Sequence, residues 1–207
     1  MDSIIFDLDG TLWDATETMS RPWTETLNAH GINRVITAED LASVMGKDVP
    51  GIAKAFMPEL EEEKRIKIAY EGCDAETPYL RKFGGKLYPE LENTLKKLSE
   101  KYKLFIVSNC ECDYINAFWD FHGLKKYFTD WEYIGRTGKP KEENIKIIIN
   151  RHSLKSPVYV GDTNMDMKAS EINNIPFIFA SYGFGNCEKF TAKLNKISDL
   201  PEIMENL

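Results

Sequence analysis

Residues 3–14 have the sequence SIIFDLDGTLWD, and this stretch decides the fold. Its apolar run at residues 4–6 predicts a short strand that is buried on both faces. Asp7 and Asp9 follow at i and i+2, so an extended chain places both carboxylates on one side, at the carboxyl end of that strand. Open α/β sheets bind ligands at this edge. Two acids this close repel each other unless a cation lies between them or one keeps its proton.

The composition restricts the classes of protein to which the chain can belong. The 207 residues are 43% hydrophobic and 29% charged, which is enough for a core in one large domain or in one domain that carries a smaller insertion. A net charge of −7 argues against nucleic acid or an anionic membrane as partner. No apolar run approaches the ~20 residues of a membrane helix, and the N-terminus lacks a signal segment. We therefore expect a cytoplasmic protein.

The cysteines give no sign of a structural metal. None of the four is paired in CxxC spacing, and none has a histidine nearby in the sequence: they are Cys73, Cys110, Cys112 and Cys187. A structural zinc site is therefore not expected. Reduced thiols in a cytoplasmic protein are the simplest interpretation.

The order of the elements predicts an α/β fold with a helical insertion. Residues 15–84 show only helical patterns, and we interpret them as a separate cap. From residue 85 onward, apolar strands at 104–107, 158–160 and 176–180 alternate with amphipathic helices. Such alternation predicts right-handed crossovers and a Rossmann-like, mostly parallel sheet with helices on both faces. Residues 1–14 and 85–207 would form this α/β core, with the small all-helical cap inserted after the first strand.

Polar groups follow the later strands as well as the first one. Ser108 and Asn109 end the strand at 104–107, Lys139 begins a helix, and Asp162 and Asp166 follow the strand at 158–160. Parallel strands place all of these groups at one edge of the sheet. Carboxylates with water and substrate oxygens suit Mg²⁺, and the lysine, the hydroxyl and the backbone amides suit phosphoryl oxygens. Aspartate is also a competent nucleophile toward phosphorus.

This set of groups resembles the haloacid-dehalogenase-like superfamily along the whole chain. Residues 7–11, DLDGT, are similar to the first motif of that family, and Ser108 is similar to the second. Lys139, followed by proline, resembles the third motif, and residues 161–166, GDTNMD, resemble the fourth. The phosphoglycolate-phosphatase-like branch, which carries a helical cap, shows the nearest resemblance.

The resemblance implies a role for each carboxylate. Asp7 would be the nucleophile and a Mg²⁺ ligand. Asp9 would protonate the leaving oxygen and then activate water, and its backbone carbonyl would also bind the metal. Asp162 would be a metal ligand, and Asp166 would support the metal through water or orient its neighbours.

The resemblance also implies the groups that bind substrate. Ser108, Asn109 and Lys139 would hold the phosphoryl oxygens. In the cap, Gly46 and Lys47 fall where a substrate-specificity loop could enter the site. A solvated turn between helices explains the same pattern, and this alternative stays open.

The sequence thus predicts a Mg²⁺-dependent phosphatase that hydrolyses a small phosphorylated metabolite through an aspartyl-phosphate. The presence of Asp9 favours phosphoryl transfer over dehalogenation, because expelling a halide needs no proton donor. One alternative is a sugar-phosphate mutase of the β-phosphoglucomutase type, which shares the catalytic set. Another is a non-enzymatic, receiver-like module that is phosphorylated on an aspartate. The sequence identifies neither the substrate nor the oligomeric state.

Overall fold

The computed structural model describes residues 1–111 and 113–207, so Cys112, predicted to be a reduced thiol, lies outside the described residues. The chain divides into two compact units. The first comprises Met1–Asp14, Leu87–Asn109 and Leu124–Leu207, and the second comprises Ala15–Lys86 and Cys110–Gly123.

A six-stranded parallel sheet organises the first unit. In chain order the strands of the described residues are β1 (Ser3–Phe6), β2 (Trp13–Asp14), β3 (Lys86–Leu87), β4 (Lys103–Ser108), β5 (Asp130–Tyr133), β6 (Pro157–Gly161), β7 (Phe177–Ala180) and β8 (Ala192–Leu194). The sheet has the order β5-β4-β1-β6-β7-β8, and each neighbouring pair is parallel. The predicted fold class is confirmed.

Helices account for the rest of the regular structure. In chain order the α-helices are α1 (Thr16–Ala29), α2 (Ala38–Ala42), α3 (Val49–Phe56), α4 (Glu62–Phe83), α5 (Leu91–Ser99), α6 (Tyr114–His122), α7 (Ile134–Thr137), α8 (Lys141–His152), α9 (Asn164–Ile172) and α10 (Leu200–Glu205). Among the described residues, 3₁₀ helices lie at Leu124–Tyr127 and Ile197–Asp199. The second unit contains α1 to α4 and α6.

The observed division into two units differs from the predicted one in the placement of α6. The predicted core, residues 1–14 and 85–207, included the α6 segment, whereas in the structure this segment groups with the helices of the second unit. The reason is packing against α4: Arg81 forms an ion pair with Asp120 at 3.0 Å. Gly84, which ends α4, lies so close to the Phe121 ring that a Cβ there would come within 2.3 Å.

The sheet is covered on both faces, as the apolar strands predict. All four residues of β1 are buried. On one face, Ile5 and Tyr159 belong to a core cluster with Ile145 and Ile148 of α8. Burial on α8 recurs at Lys141, Asn144, Ile145 and Ile148, the i, i+3, i+4, i+7 pattern of a helix that turns one face to the sheet.

The carboxyl ends of β4, β1 and β6 lie at one edge of the sheet, within two residues of one another in register, and this edge is where ligands can bind. Phe6, the last residue of β1, is in register with Ile106 of β4 and Val160 of β6. From β1 the chain builds outward to β4 and β5, then crosses to β6 on the other side of β1. The strand order therefore reverses at β1, which is the place where open α/β sheets form a ligand-binding crevice.

Candidate active site

A tight turn after β1 presents the first two carboxylates. Asp7 is buried, and its N–H donates to the Val160 carbonyl at 2.8 Å. The Leu8 carbonyl accepts from the N–H of Leu12 at 2.8 Å, which closes the turn. The Asp9 carboxylate is only partly buried and accepts a 2.9 Å hydrogen bond from the Trp13 indole. Trp13, which is fully buried, therefore fixes the direction of Asp9.

Gly10 lets this turn approach the loop after β6. Its φ of +77° lies in the left-handed region, which favours glycine. A Cβ at this position would also come within 2.3 Å of Asp162 Oδ2. Only glycine fits between the two loops.

Three buried aspartates converge at this edge of the sheet. Asp7, Asp162 and Asp166 can each offer one carboxylate oxygen, and the three oxygens lie within 4.8 Å of one another. Asp162 and Asp166 are inaccessible to solvent, and Asp7 is 2% exposed. The Asp9 side chain is not part of this group. The structure thus brings together the carboxylates of three of the four residues that were predicted to bind metal; for Asp9 the predicted ligand is its backbone carbonyl.

The cation beside these aspartates is Lys141. Its Nζ lies 2.9 Å from Asp7 Oδ1 and 2.6 Å from Asp166 Oδ1, and its side chain is 3% exposed. Three ionised carboxylates and one ammonium leave a net charge of −2 in a buried site. Burying charge without compensation is costly, so the site favours either bound protons or a divalent cation.

The ionisation of the buried groups reflects this excess of negative charge. Burial, together with the carboxylate of Asp166, raises the pKa of Asp7 well above its usual range, although Lys141 opposes the change. Burial and Asp166 likewise raise the pKa of Asp162 to about 7. Burial alone would lower the pKa of Lys141, but Asp166 and Asp7 raise it well above its ordinary value. Lys141 is therefore a permanent cation in the site.

The structure corrects the position of the predicted site lysine. Lys139, assigned to the site from its place before a proline, has a half-exposed side chain that pairs with Glu143 at 3.1 Å. It precedes the first turn of α8 and so lies outside the helix face that packs on the sheet. Lys141 lies on that face, four residues before Ile145 and seven before Ile148. This spacing was present in the sequence and could have identified Lys141.

Asp166 has two structural tasks. Its Oδ2 accepts from the N–H of Thr163 at 2.9 Å and from the Thr163 hydroxyl at 2.6 Å. The Thr163 hydroxyl in turn accepts from the Asp166 N–H, so the two residues form the capping box that begins α9. Oδ1 of Asp166 takes the hydrogen bond from Lys141. This arrangement corresponds to the predicted option in which Asp166 orients its neighbours.

Asp162 has one oxygen that is available to a metal. Its Oδ2 accepts backbone N–H groups from Phe184 at 2.7 Å and Gly185 at 3.3 Å. Its Oδ1 is buried and has no hydrogen-bond partner among the described residues. Buried polar atoms are normally satisfied, so an orphaned carboxylate oxygen beside two further carboxylates fits a hard divalent cation such as Mg²⁺. Asp7 and Asp162 are the residues that would hold it.

The predicted phosphate-binding residues follow β4. Ser108 is the buried last residue of that strand and is in register with Tyr133, and Asn109 comes directly after it with partial exposure. Ser108 thus lies at the same edge of the sheet as Asp7. Gly46 and Lys47 lie in the second unit, in the turn between α2 and α3. Gly46 has a φ of +79°, and Lys47 Nζ donates to the Ser43 carbonyl at 3.1 Å.

Comparisons with known proteins identify the family of the chain. A family model described as haloacid dehalogenase-like hydrolase matches residues 4–180. The chain belongs to that family. The match runs from β1 to the end of β7 and so includes all three clustered aspartates and Lys141.

Curated relatives of this haloacid dehalogenase-like hydrolase are named as phosphatases. Phosphoglycolate phosphatase of Aquifex aeolicus is 26% identical over 213 residues, which cover 98% of this chain and 96% of the relative. Pyrophosphatase PpaX of Listeria welshimeri is 27% identical over 179 residues, covering 82% of this chain and 78% of the relative. These relatives support the predicted enzyme class, a phosphatase hydrolase.

A solved structure supports the fold. A haloacid dehalogenase-like family hydrolase from Streptococcus pneumoniae superposes with a TM-score of 0.82 at 20% identity, covering 99% of this chain and 98% of that one. Across residues 1–111 and 113–207, no helix combines the length and apolar character needed to cross a bilayer.

Proposed function

We propose that this family member is a Mg²⁺-dependent phosphatase that hydrolyses a small phosphorylated metabolite through an aspartyl-phosphate on Asp7. The observation that carries the proposal is the buried cluster at the sheet edge, with three carboxylates, one ammonium and an orphaned oxygen on Asp162. A protein gains nothing in stability from such a charge excess, whereas a phosphoryl-transfer site needs it to hold a cation.

The first half of the proposed reaction transfers the phosphoryl group to the enzyme. A carboxylate oxygen of Asp7 forms a bond to phosphorus while the bond from phosphorus to the leaving oxygen breaks. Asp9, held by the Trp13 indole, donates a proton to that leaving oxygen. Bound Mg²⁺ would balance the buried negative charge and the charge of the phosphoryl oxygens. Proton transfer of this kind contributes about 10²–10⁴ in rate.

The second half releases phosphate. Asp9, now deprotonated, removes a proton from water, and the water oxygen attacks phosphorus so that the acyl-phosphate bond to Asp7 breaks. Lys141, Ser108 and Asn109 hold phosphoryl oxygens in both steps. The support for Lys141 is its 2.9 Å contact with Asp7 and its permanent positive charge, which stabilises charge as it develops.

The proposals for the substrate come from the names of the relatives, and the proposal for the cellular location comes from the sequence. The relatives' names suggest phosphoglycolate and pyrophosphate as the first compounds to assay. A cytoplasmic location, a capping role for the helical second unit and a substrate contact by Gly46 and Lys47 stay predictions. The substrate contact is tested by the effect of Lys47→Ala on KM for the best substrate.

A turnover assay tests the proposal against both alternatives. Purified protein is given p-nitrophenyl phosphate, phosphoglycolate, pyrophosphate or β-glucose 1-phosphate, with Mg²⁺ or with EDTA. We expect many turnovers of free phosphate with Mg²⁺ and none with EDTA. Isomerisation of the sugar phosphate without phosphate release would indicate a mutase, and a single stoichiometric phosphorylation would indicate a receiver-like module.

The raised carboxylate pKa values predict how pH affects the metal-free protein. The folded protein keeps protons on Asp7 and Asp162 at pH values where the unfolded chain has lost them. Between about pH 4 and pH 7 the folded state therefore binds more protons, and the free energy of unfolding falls as pH rises. We expect the Tm of EDTA-treated protein to be higher at pH 6 than at pH 8. Because Mg²⁺ binds the ionised carboxylates, it should raise Tm more at pH 8.

The control for this experiment is Asp162→Asn, which removes the titrating group. Its Tm should change less between pH 6 and pH 8 than that of the wild type, and Mg²⁺ should hardly raise it. Comparing the two proteins cancels the contribution of every other ionisable group, because the variant differs from the wild type only at Asp162. Identical pH profiles for wild type and variant would show that Asp162 does not titrate there.

A further inference from the structure

The loop that follows β7 packs directly against Asp162. Residues 182–185 have the sequence YGFG and begin two residues after the strand ends. The N–H groups of Phe184 and Gly185 both donate to Asp162 Oδ2, at 2.7 and 3.3 Å. Oδ1 of the same carboxylate has no partner among the described residues. The loop thus distinguishes the two oxygens of one buried aspartate.

The two glycines make this approach possible. A Cβ on Gly183 would come within 2.4 Å of the Gly10 carbonyl oxygen and of Asp162 Cβ. A Cβ on Gly185 would come within 2.5 Å of the Asp162 carbonyl oxygen. Two of these obstacles are backbone atoms, so a side chain could not be accommodated by a rotamer change. At both positions the loop must lack a side chain.

Tyr182 ties the same loop to the turn after β1. Its hydroxyl donates to the Thr11 carbonyl at 2.9 Å, and its ring packs on Tyr88 with centroids 4.5 Å apart. The 182–185 loop is therefore hydrogen-bonded at its first residue to the turn that carries Asp7 and Asp9, and at its last two residues to Asp162.

We propose that the 182–185 loop is a positioning element that occupies Asp162 Oδ2 and so leaves Oδ1 as the oxygen that binds the cation. This inference rests on the proposed function, because it needs the cation. The two N–H groups that donate to Oδ2 fix the rotation of the Asp162 carboxylate. The carboxylate can then bind a cation through Oδ1 alone. Groups that orient a metal ligand in this way are worth about 10–100-fold in metal affinity.

Binding of Mg²⁺ alone, measured by calorimetry on the purified full chain, tests the proposal without turnover. We expect Gly185→Ala to weaken Mg²⁺ binding by about 10–100-fold, because the added methyl group displaces the two N–H donors. Tyr182→Phe keeps the ring and loses one hydrogen bond, and should weaken binding by about 2–10-fold. With Mg²⁺ raised to saturation, Tyr182→Phe should regain most of the wild-type kcat, since the loop acts through Asp162.

Two matched variants separate positioning from general destabilisation. Tyr88→Phe alters the other tyrosine of the ring pair, whose hydroxyl donates to none of the described residues, and should leave the Mg²⁺ dissociation constant unchanged. Gly72→Ala introduces a clash within 2.8 Å of the Trp23 ring in the second unit. It should lower Tm without changing Mg²⁺ affinity.

The outcomes distinguish this inference from the proposed function. Wild-type protein that neither binds Mg²⁺ nor hydrolyses any phosphate ester would overturn both. Wild-type protein that does both, with Tyr182→Phe and Gly185→Ala binding Mg²⁺ equally well, would overturn the role of the loop alone. If Gly185→Ala does not fold, Tyr182→Phe against Tyr88→Phe decides the question.

Discussion

Asp7→Asn should abolish turnover and leave the protein folded. Asparagine keeps the size of the side chain and an oxygen acceptor for Lys141, but its amide does not attack phosphorus. We expect kcat with p-nitrophenyl phosphate and Mg²⁺ to fall by at least ~10⁴-fold. The substitution also removes one of the buried negative charges, so Tm in EDTA should be no lower than that of the wild type. Phosphate release and thermal unfolding followed by circular dichroism measure the two effects.

The matched control is Asp2→Asn, at the opposite end of the same strand. Asp2 is exposed, and its carboxylate accepts a 2.7 Å hydrogen bond from the N–H of Lys155. Its substitution should leave turnover unchanged. Near-wild-type activity in Asp7→Asn, or an equal loss in both variants, would reject Asp7 as the nucleophile.

The second large effect is expected at Lys141 and not at Lys139. Lys141→Met removes the cation that contacts Asp7 and Asp166, and kcat/KM should fall by about 10²–10³-fold. It also leaves two buried carboxylates without their partner, which should lower the unfolding free energy of the metal-free protein by about 3–5 kcal/mol. Kinetics at a temperature well below the Tm measured for the variant separate the two effects.

Lys139→Met is the control, only two residues away in the sequence. Its half-exposed ion pair with Glu143 contributes little to stability, and its Nζ contacts none of the three clustered aspartates. Activity should stay within about twofold of wild type, and Tm should hardly change. A larger loss in Lys139→Met than in Lys141→Met would restore the assignment made from the sequence motif.

The sequence was informative where the signal was local. The apolar runs that became β1, β4 and β6 predicted a parallel sheet, because strands buried on both faces leave few other solutions. The acids directly after β1 and β6 then had to lie at one edge. The edge strand β8, Ala192–Leu194, was not predicted, because its three residues have a lysine in the centre and so do not form an apolar run.

The errors arose where position depends on contacts across the chain. Lys139 was chosen from a motif, whereas the helical phase set by Ile145 and Ile148 points to Lys141. The segment of α6 was assigned to the core because it lies between core elements in the sequence. Its packing on α4 cannot be predicted from that position. The 182–185 loop carried one usable signal, two glycines just after a strand, which often marks a close backbone approach.

The double task of Asp166 has a consequence for anyone who wishes to redesign this enzyme. Asp166 completes the capping box of α9 and also accepts the hydrogen bond from Lys141, so a helix cap and the proposed catalytic cation depend on one side chain. In a library randomised at position 166, each variant would change both the cap of α9 and the position of Lys141, so the two effects could not be separated. Engineers who seek altered reactivity should vary neighbouring codons and leave this one constant.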